Sequence, residues 1–213
     1  MRALYLTHPQ VRIDANVPVP LWGLSELGRE RAEEFAARGV VPKRAMIFSS
    51  RESKAMELAD ILAAHTGGMV LSDHLMGEND RSATGFLPPG TFELTADRFF
   101  AEPDTSVDGW ERAIDAQRRI VGTVRTALAS VPEGTPAVFC GHGAVGTLLK
   151  CFVARLPIDR RHDQSRHADK GGGNGFVFDL EAMMLGCEWT TMEDLQPDWF
   201  ALEPVRQLDF DLA

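Results

Sequence analysis

The stretch PAVFCGHGAVGTLLKCFVARL, residues 136–156, reads as a buried strand followed directly by a helix. Its first part is an apolar run that ends on His142, and its second part has apolar residues at helical spacing. Gly141 and Gly143 flank the histidine, so the chain turns tightly there and the first N–H groups of the helix are available to an anion. A glycine-tolerant turn without a ligand explains the same residues.

An earlier run, ALYLTHPQ at residues 3–10, ends in the same way on His8. Open α/β sheets bind their ligands outside the carboxyl ends of the strands. If these two strands are neighbours, His8 and His142 lie at one edge of the sheet and face each other. A structural histidine held by hydrogen bonds explains either residue alone, but two at matching positions favour a shared site.

Strand-like and helical runs alternate along the rest of the chain. We predict further strands at 45–50, 69–72 and 175–180, and helices at about 25–38, 52–65, 91–100 and 107–130. A polar, Gly-rich loop is expected at about 156–174. The alternation predicts an α/β fold, a three-layer sandwich with a mostly parallel central sheet and helices on both faces. No repeat or linker interrupts it, so residues 1–213 are predicted to form a single domain.

Composition and charge exclude several classes of partner. With 213 residues, of which 44% are hydrophobic, the chain is typical of one soluble domain. Its net charge of −9 argues against binding to nucleic acid or to an anionic membrane surface, although a few cations can still form a pocket for a small anion. Three cysteines without a CxxC motif indicate a reducing compartment, and no apolar run approaches the roughly 20 residues that span a bilayer. We therefore expect a cytoplasmic protein.

A third strand–helix junction, SSRESKA at residues 49–55, places Arg51 and Lys54 in the first turn of a helix. Cations at a helix N-terminus oppose the helix dipole. Their position is better explained if both side chains point at an anion that the helix N–H groups also bind. Two solvated basic side chains are the alternative.

The order of these parts resembles the histidine phosphatase superfamily, the phosphoglycerate-mutase-like proteins. The family pattern has a strand ending in Arg-His-Gly, a helix start like LS..G..QA, an SS…R(A)..TA junction, an acidic residue in a mid-chain loop and a late (S/G)HG. The corresponding places here read YLTHPQ, LSELGRERA, SSRESKAMELA, LMGENDRS and FCGHGAV. The resemblance extends from residue 4 to about residue 180.

This resemblance implies chemistry through a phosphorylated histidine, with no metal and no cofactor. It makes His8 the nucleophile, His142 the second histidine of the phosphate pocket and Glu78 the proton donor. Asp80, two residues further on, is the competing choice of acid, and a solvated acidic loop would explain both carboxylates. As proton donor, Glu78 needs a raised pKa, which burial or a carboxylate neighbour such as Asp80 would provide. His142 is expected to be protonated when it meets the phosphate.

The sequence departs from the family pattern where two arginines are expected. Thr7 replaces the arginine before the nucleophile, Pro9 replaces the glycine after it, and Lys54 stands in the place of the second arginine. Lysine offers a point charge without the guanidinium fork, so this exchange is not conservative. We predict that Arg51 and Arg81 restore the missing charge. The predicted phosphate site then consists of Thr7, Arg51, Lys54, Arg81 and the N–H of Gly143.

The function predicted from the sequence is a metal-independent phosphomonoester hydrolase acting on a small phosphorylated metabolite. A phosphoglycerate-mutase-type phosphotransferase and a non-catalytic phosphate-ligand binding protein are the alternatives. His162, Asp163 and His167 lie close in sequence, but no further ligand spacing supports a metal site there. The predicted partner is the small phosphorylated substrate, without nucleic acid or membrane, and the sequence is compatible with a homo-oligomer.

Overall fold

The computed structural model describes residues 1–199, which form a mixed β-sheet between layers of helices. The strands are β1 (Arg2–Thr7), β2 (Met46–Ser50), β3 (Met69–Asp73), β4 (Ala137–Gly141), β5 (Asn174–Asp179), β6 (Met184–Leu185) and β7 (Thr190–Thr191). The α-helices are α1 (Glu26–Ala37), α2 (Ser53–Thr66), α3 (Pro89–Ala101), α4 (Ala113–Ala129), α5 (Gly143–Val153) and α6 (Gln164–His167). Short 3-10 helices lie at Val19–Leu21, His74–Met76, Val107–Gly109 and Arg160–His162.

The sheet has the strand order β3-β2-β4-β1-β5-β6, and β7 pairs with β5. The four strands β1 to β4 run parallel, whereas β5 pairs antiparallel with β1. The short strands β6 and β7 are antiparallel to β5. This arrangement confirms the predicted α/β fold with a mostly parallel sheet.

Alternating side chains of each central strand enter two separate cores, one on each face of the sheet. Leu4 and Leu6 of β1 pack with residues of α1 and α2, while Tyr5 packs on the opposite face with residues of α4 and α5. Because successive side chains of a strand point to opposite faces, a strand covered on both sides is apolar along its whole length. Within residues 1–199, no helix has the length and apolar character to cross a membrane.

The pairing of β1 with β4 brings the two predicted histidines to the same edge of the sheet. In this register Thr7 lies opposite Gly141, the last residues of the two strands. The N–H of His8 continues the ladder by donating to the carbonyl of Gly141 at 3.0 Å. His8 and His142 therefore leave the sheet side by side, as the sequence predicts.

The predicted helix at 107–130 is wrong over its first six residues. Val107–Gly109 forms a 3-10 turn, and α4 begins only at Ala113. Asp108 and Gly109 have φ angles of 51° and 81°, left-handed values that a right-handed helix cannot continue through.

The predicted loop at 156–174 also contains regular structure, the 3-10 helix Arg160–His162 and the single turn of α6. Asp159 and Asp163 each accept a hydrogen bond from the N–H two residues ahead, so each caps one of these short helices. The final part of the predicted domain, residues 200–213, lies outside the described residues.

Candidate active site

The imidazole rings of His8 and His142 face each other at the end of the paired strands. Their centroids are 5.3 Å apart, and the rings are inclined by 69°. The half-buried His8 places its Nδ1 2.9 Å from the carbonyl oxygen of Pro9. Because a carbonyl can only accept, Nδ1 carries the proton and Nε2 keeps its lone pair. His8 is thus presented as a neutral imidazole with one nitrogen available for bonding.

The backbone of His142 is fixed by a tyrosine from the neighbouring strand. The hydroxyl of Tyr5 donates to the carbonyl of His142 and accepts from its N–H, both at 3.1 Å. Gly141 makes room for this contact, since a Cβ at that position would lie 2.2 Å from the Tyr5 oxygen.

The side chain of His142 is fully buried, and among residues 1–199 neither ring nitrogen has a hydrogen-bond partner. The carboxylate of Glu52 approaches Nε2 to 3.4 Å without forming a hydrogen bond. Buried polar atoms without partners are rare in proteins, and a bound ligand is one way of satisfying them. The ring nitrogens of His142 are therefore candidates for contact with a group bound beside His8.

Burial lowers the pKa values of both histidines. Burial and the charges of Lys54 and Arg81 lower the pKa of His8 to about 4, although the Glu52 carboxylate partly opposes them. Burial likewise lowers the pKa of His142 well below its usual range, against the opposing effect of Glu52. Burial thus favours the neutral form of His142, and its protonation on meeting a phosphate stays a prediction.

The carboxylate of Glu78 lies at the N-terminus of α5, next to the histidine pair. Its two oxygens accept hydrogen bonds from the N–H groups of Val145 at 3.0 Å and Ala144 at 3.3 Å. Burial and the nearby Glu52 raise the pKa of Glu78, while Arg81 and the two N–H groups oppose that rise. The raised pKa that a proton donor needs is therefore present, with Glu52 as the carboxylate neighbour.

Asp80, the competing choice of acid, has the opposite character. It is exposed, and hydrogen bonds from Ser82 lower its pKa. A carboxyl group with a lowered pKa is ionised throughout the neutral range and is a poor proton donor. The local chemistry therefore favours Glu78 over Asp80.

Arg119 of α4 holds the loop that carries Glu78. Its guanidinium donates to the carbonyls of Leu75, Gly77 and Glu78 at 2.7, 3.0 and 3.2 Å. Two further bonds, at 2.9 and 2.7 Å, join it to the carboxylate of Glu111. Five bonds from one planar group fix the loop backbone against the helix.

The ammonium group of Lys54 is almost fully buried and is already paired. Its Nζ lies 2.5 Å from Oε2 of Glu52 and 3.0 Å from the carbonyl of Val19. Burial alone would raise the pKa of the Glu52 carboxyl, but the charge and hydrogen bond of the Lys54 ammonium and the N–H of Glu78 lower it. An ionised carboxylate thus lies beside the predicted phosphate ligands.

The two arginines predicted to restore charge occupy different environments. Arg81 stacks on aromatic rings, with its guanidinium carbon 5.0 Å from the centroid of Phe92 and 5.6 Å from that of Trp110. Its charge lowers the pKa values of both His8 and His142, which places it within electrostatic reach of the pair. Arg51 is exposed.

Both arginines line a cavity of about 800 Å³ that opens beside residues 77–82, the loop that carries Glu78. We call this segment the acid loop. Glu52 and Glu78 also reach this cavity, and its outer wall includes the proline-rich segment 15–21 and Phe86. The remaining lining residues are Ser50, His74, Gly77, Asn79, Asp80, Ser82 and Gly85. Asn79 is 4% exposed, and its Nδ2 has no hydrogen-bond partner within the described part of the chain. The cavity therefore combines guanidinium groups and carboxylates in its lining, with the buried amide of Asn79 behind them.

A family comparison decides the identity of the fold. The model of the histidine phosphatase superfamily, branch 1, matches residues 15–170, which is most of the chain. The chain belongs to this superfamily. Membership confirms the predicted family and supports an activity of phosphatase or mutase type. A search of curated proteins gives no match to this sequence.

Solved structures of histidine-phosphatase fold are similar over nearly the whole chain. A mycobacterial glucosyl-3-phosphoglycerate phosphatase in complex with inorganic phosphate superposes with a TM-score of 0.72 and 22% identity, covering 90% of this chain and 98% of that one. YhfR of Bacillus stearothermophilus has a TM-score of 0.69 and 17% identity, covering 97% and 98% of the two chains. These similarities establish the shared fold.

Thr7 stands where the superfamily pattern has an arginine, and it has structural partners instead. It is fully buried, and its hydroxyl donates to Oε1 of Gln164 at 2.8 Å and lies 3.2 Å from the carbonyl of Asn174, whose N–H donates back at 3.0 Å. The same glutamine packs over the start of α5, since a Cβ at Gly143 would lie 2.4 Å from its Nε2. The side chains at Thr7 and Gln164 thus join β1, β5 and the predicted phosphate-binding turn.

The Gly-rich end of the predicted loop contacts the nucleophile candidate directly. The N–H of Gly173 donates to the carbonyl of His8 at 3.0 Å. Gly172 has a φ angle of 81°, and a Cβ there would lie 2.3 Å from the same carbonyl oxygen. This close approach needs glycine and fixes the backbone that carries His8.

Glu52, Arg119 and Gln164 are site residues that the sequence analysis missed. Glu52 lies inside the SSRESKA junction, where only the cations were singled out. Arg119 lies in the middle of a helix, and Gln164 in a segment predicted to be a loop. The described residues contain no group of three or more His, Cys, Asp and Glu side chains that could hold a metal ion.

Proposed function

We propose that this protein is a metal-independent phosphomonoester hydrolase that forms a phosphohistidine on His8. One observation carries the proposal: His8, held through its Nδ1, lies in contact with the buried ring of His142, whose nitrogens have no hydrogen-bond partner among residues 1–199. A neutral imidazole attacks a phosphate dianion without charge repulsion. The pair thus supplies a nucleophile on one side and a hydrogen-bonding group for the phosphoryl oxygens on the other.

In the first step, Nε2 of His8 attacks phosphorus and the ester P–O bond breaks. The proton stays on Nδ1, which donates it in a hydrogen bond to the carbonyl of Pro9, so the ring keeps its orientation as positive charge develops on it. The leaving oxygen takes a proton from Glu78, whose raised pKa makes the protonated form available. The products of this step are the alcohol and a phosphorylated His8.

In the second step, water attacks the phosphorylated histidine. The Glu78 carboxylate accepts a proton from that water, the N–P bond breaks, and inorganic phosphate leaves with His8 neutral again. Glu78 thereby returns to its protonated form, so the proton balance closes over one turnover. Charge on the phosphoryl oxygens is met by Arg81, Lys54 and the N–H of Gly143.

The proposed substrate is a small phosphorylated metabolite. The cavity of about 800 Å³ lies in the size range of small-molecule sites. Neither His8 nor His142 lines this cavity, so we assign it to the part of the substrate beyond the phosphoryl group, with Arg51 and Arg81 as the cations of its lining. A mycobacterial protein of the same fold is a phosphatase for a small phosphorylated acid, glucosyl-3-phosphoglycerate.

A non-catalytic phosphate-binding protein is the second candidate, and one observation favours it. Lys54, in the place of a family arginine, is occupied by Glu52 and leaves the site with fewer free cations. Binding without turnover would then be the remaining activity. A mutase-type phosphotransferase would use the same histidines but would isomerise 3-phosphoglycerate instead of dephosphorylating it.

Hydrolysis of p-nitrophenyl phosphate in the presence of EDTA, from pH 5 to 8, tests the proposal. Wild type is expected to release nitrophenol, and His8→Ala is expected to be inactive. His65→Ala is a matched control, because His65 pairs with Glu33 on the far side of α2 and should leave the rate unchanged. Full activity in His8→Ala would remove His8 as the nucleophile, and binding of phosphate without turnover in wild type would favour the second candidate.

A further inference from the structure

We propose that the carboxylate of Glu52 takes the place of a phosphoryl group and competes with phosphate for the groups that bind it. The proposal rests on the proposed function, since it assumes that a phosphoryl group binds between His8 and His142. It assigns to Glu52 a role in setting the affinity of the site for phosphate.

The contacts of Glu52 are those expected of a bound phosphoryl group. Oε2 accepts from the ammonium of Lys54 at 2.5 Å, and Oε1 accepts from the backbone N–H of Glu78 at 2.8 Å. Oε1 also lies 3.4 Å from Nε2 of His142. A cation, a backbone N–H and an imidazole surround one anionic group, as they would surround a phosphate.

A role in stabilising the helix does not account for this carboxylate. Glu52 is the N-cap residue of α2, but its side chain makes no capping hydrogen bond to that helix. The side chain turns instead toward the end of β4 and the loop that carries Glu78. Its contacts there are with Glu78 and His142, which are at least 26 residues further along the chain. The geometry points to the site as the reason for its position.

Charge makes the competition strong. The side chain of Glu52 is 15% exposed, so its negative charge is screened little by water. A phosphate dianion in contact with the same Lys54 would be repelled by this carboxylate, as two carboxylates that share one site repel each other. Phosphate must therefore displace Glu52, and the cavity that Glu52 already lines gives the side chain room to turn away.

Such an internal competitor weakens the binding of product as well as of substrate. Inorganic phosphate, left between the histidines after hydrolysis, would be replaced by the returning carboxylate. The ion pair with Glu52 neutralises the charge of the buried Lys54 when no phosphate is bound. The same ion pair lowers the affinity of the site for phosphate.

Calorimetric titration with inorganic phosphate at pH 7 tests this role separately from turnover. Glu52→Gln keeps the shape and the acceptor toward the Glu78 N–H but removes the charge, and we expect it to bind phosphate roughly 10- to 100-fold more tightly than wild type. Glu57→Gln is the matched control, since Glu57 is on the same helix but pairs with Arg29 outside the site. Its phosphate affinity should equal that of wild type.

Glu52→Ala provides a second variant should the glutamine variant fail to fold, because the carboxylate is removed altogether and phosphate can compensate Lys54. Affinity unchanged or weaker in both variants would overturn the proposal. Hydrolysis by wild type together with unchanged affinity in Glu52→Gln would reject the role of Glu52 while the hydrolase stands. Tighter binding in Glu52→Gln without turnover in wild type would support the role and reject the hydrolase.

Discussion

The rings of His8 and His142 lie 5.3 Å apart because the residues before them, Thr7 and Gly141, are paired in adjacent parallel strands. At this separation and inclination the two rings are in edge-to-face contact. Tyr5 fixes the backbone on one side and Gly173 on the other, so the separation is a property of the sheet and its flanking turns.

The pH dependence of kcat/KM should be bell-shaped, with an acidic limb set by His8 and an alkaline limb set by Glu78. The rate is expected to rise as pH increases through about 4, because His8 attacks only as the neutral base. It should fall again as pH rises through the raised pKa of Glu78, because that group donates a proton only in its neutral form. A stopped assay over pH 3 to 9 measures both limbs, and an alkaline limb that persists unchanged in Glu78→Gln would contradict the assignment of Glu78.

Replacing Glu78 with glutamine should lower kcat by roughly 10²- to 10⁴-fold for substrates with poor leaving groups, because proton donation is lost. The loss should be much smaller for the first turnover of p-nitrophenyl phosphate, whose leaving group needs no proton. Asp80→Asn is the matched control, and we expect activity close to wild type because Asp80 is exposed and ionised. If Asp80→Asn loses activity and Glu78→Gln does not, the acid has been assigned to the wrong residue.

Arg119→Ala should lower kcat by about 10- to 100-fold without a matching change in KM, since the misplaced Glu78 loop acts on the chemical step. Arg119→Lys is expected to recover only part of the rate, because an ammonium cannot reproduce five hydrogen bonds from a planar fork. Arg118→Ala, from an exposed neighbour on the same helix, serves as the control. If Arg119 positions Glu78, the alkaline limb of the pH profile should shift in Arg119→Ala, because the surroundings of Glu78 change. An unshifted limb would indicate that Arg119 only stabilises the fold.

Thr7→Val should destabilise the protein by about 1–3 kcal/mol, because the isosteric side chain leaves buried partners on Gln164 and Asn174 without their hydrogen bond. Chemical denaturation measures this change in the free energy of unfolding. If Thr7 stabilises the contact of β1 with β5 and Gln164 and does not bind phosphate, the affinity for inorganic phosphate should change little in the folded variant. A large loss of affinity with unchanged stability would restore Thr7 to the phosphate site.

The elements that the sequence predicts well are those with strong local signals. The apolar runs before His8 and His142 identify the strands. Because the carboxyl ends of parallel strands lie at the same edge of a sheet, both histidines are then placed at one edge. The role of Glu78 is predicted only through the resemblance to the histidine phosphatase superfamily. The burial of Glu78 against α5 depends on contacts between distant residues, which no local sequence pattern contains. The left-handed turn at Asp108 and Gly109 interrupts a stretch whose apolar spacing alone favours a longer helix.

The site residues that the sequence does not reveal are those whose partners are remote. Glu52 gains its role from Lys54 nearby but also from Glu78 and His142, which the sheet brings to it. Arg119 binds loop carbonyls more than 40 residues earlier in the chain, and such an acceptor has no sequence signature. Gln164 is the first residue of α6, which Asp163 caps. The capping residue is present in the sequence, but the polar composition around it predicts a loop.

Trapping the phosphoenzyme tests the central claim most directly. The Glu78→Gln variant should accept a phosphoryl group from p-nitrophenyl phosphate but release it slowly, since the base for the attacking water is missing. After quenching in base, which preserves phosphohistidine, peptide mass spectrometry should find the phosphoryl group on His8. A phosphoryl group on another residue, or turnover by wild type with none trapped on His8 in this variant, would contradict the account.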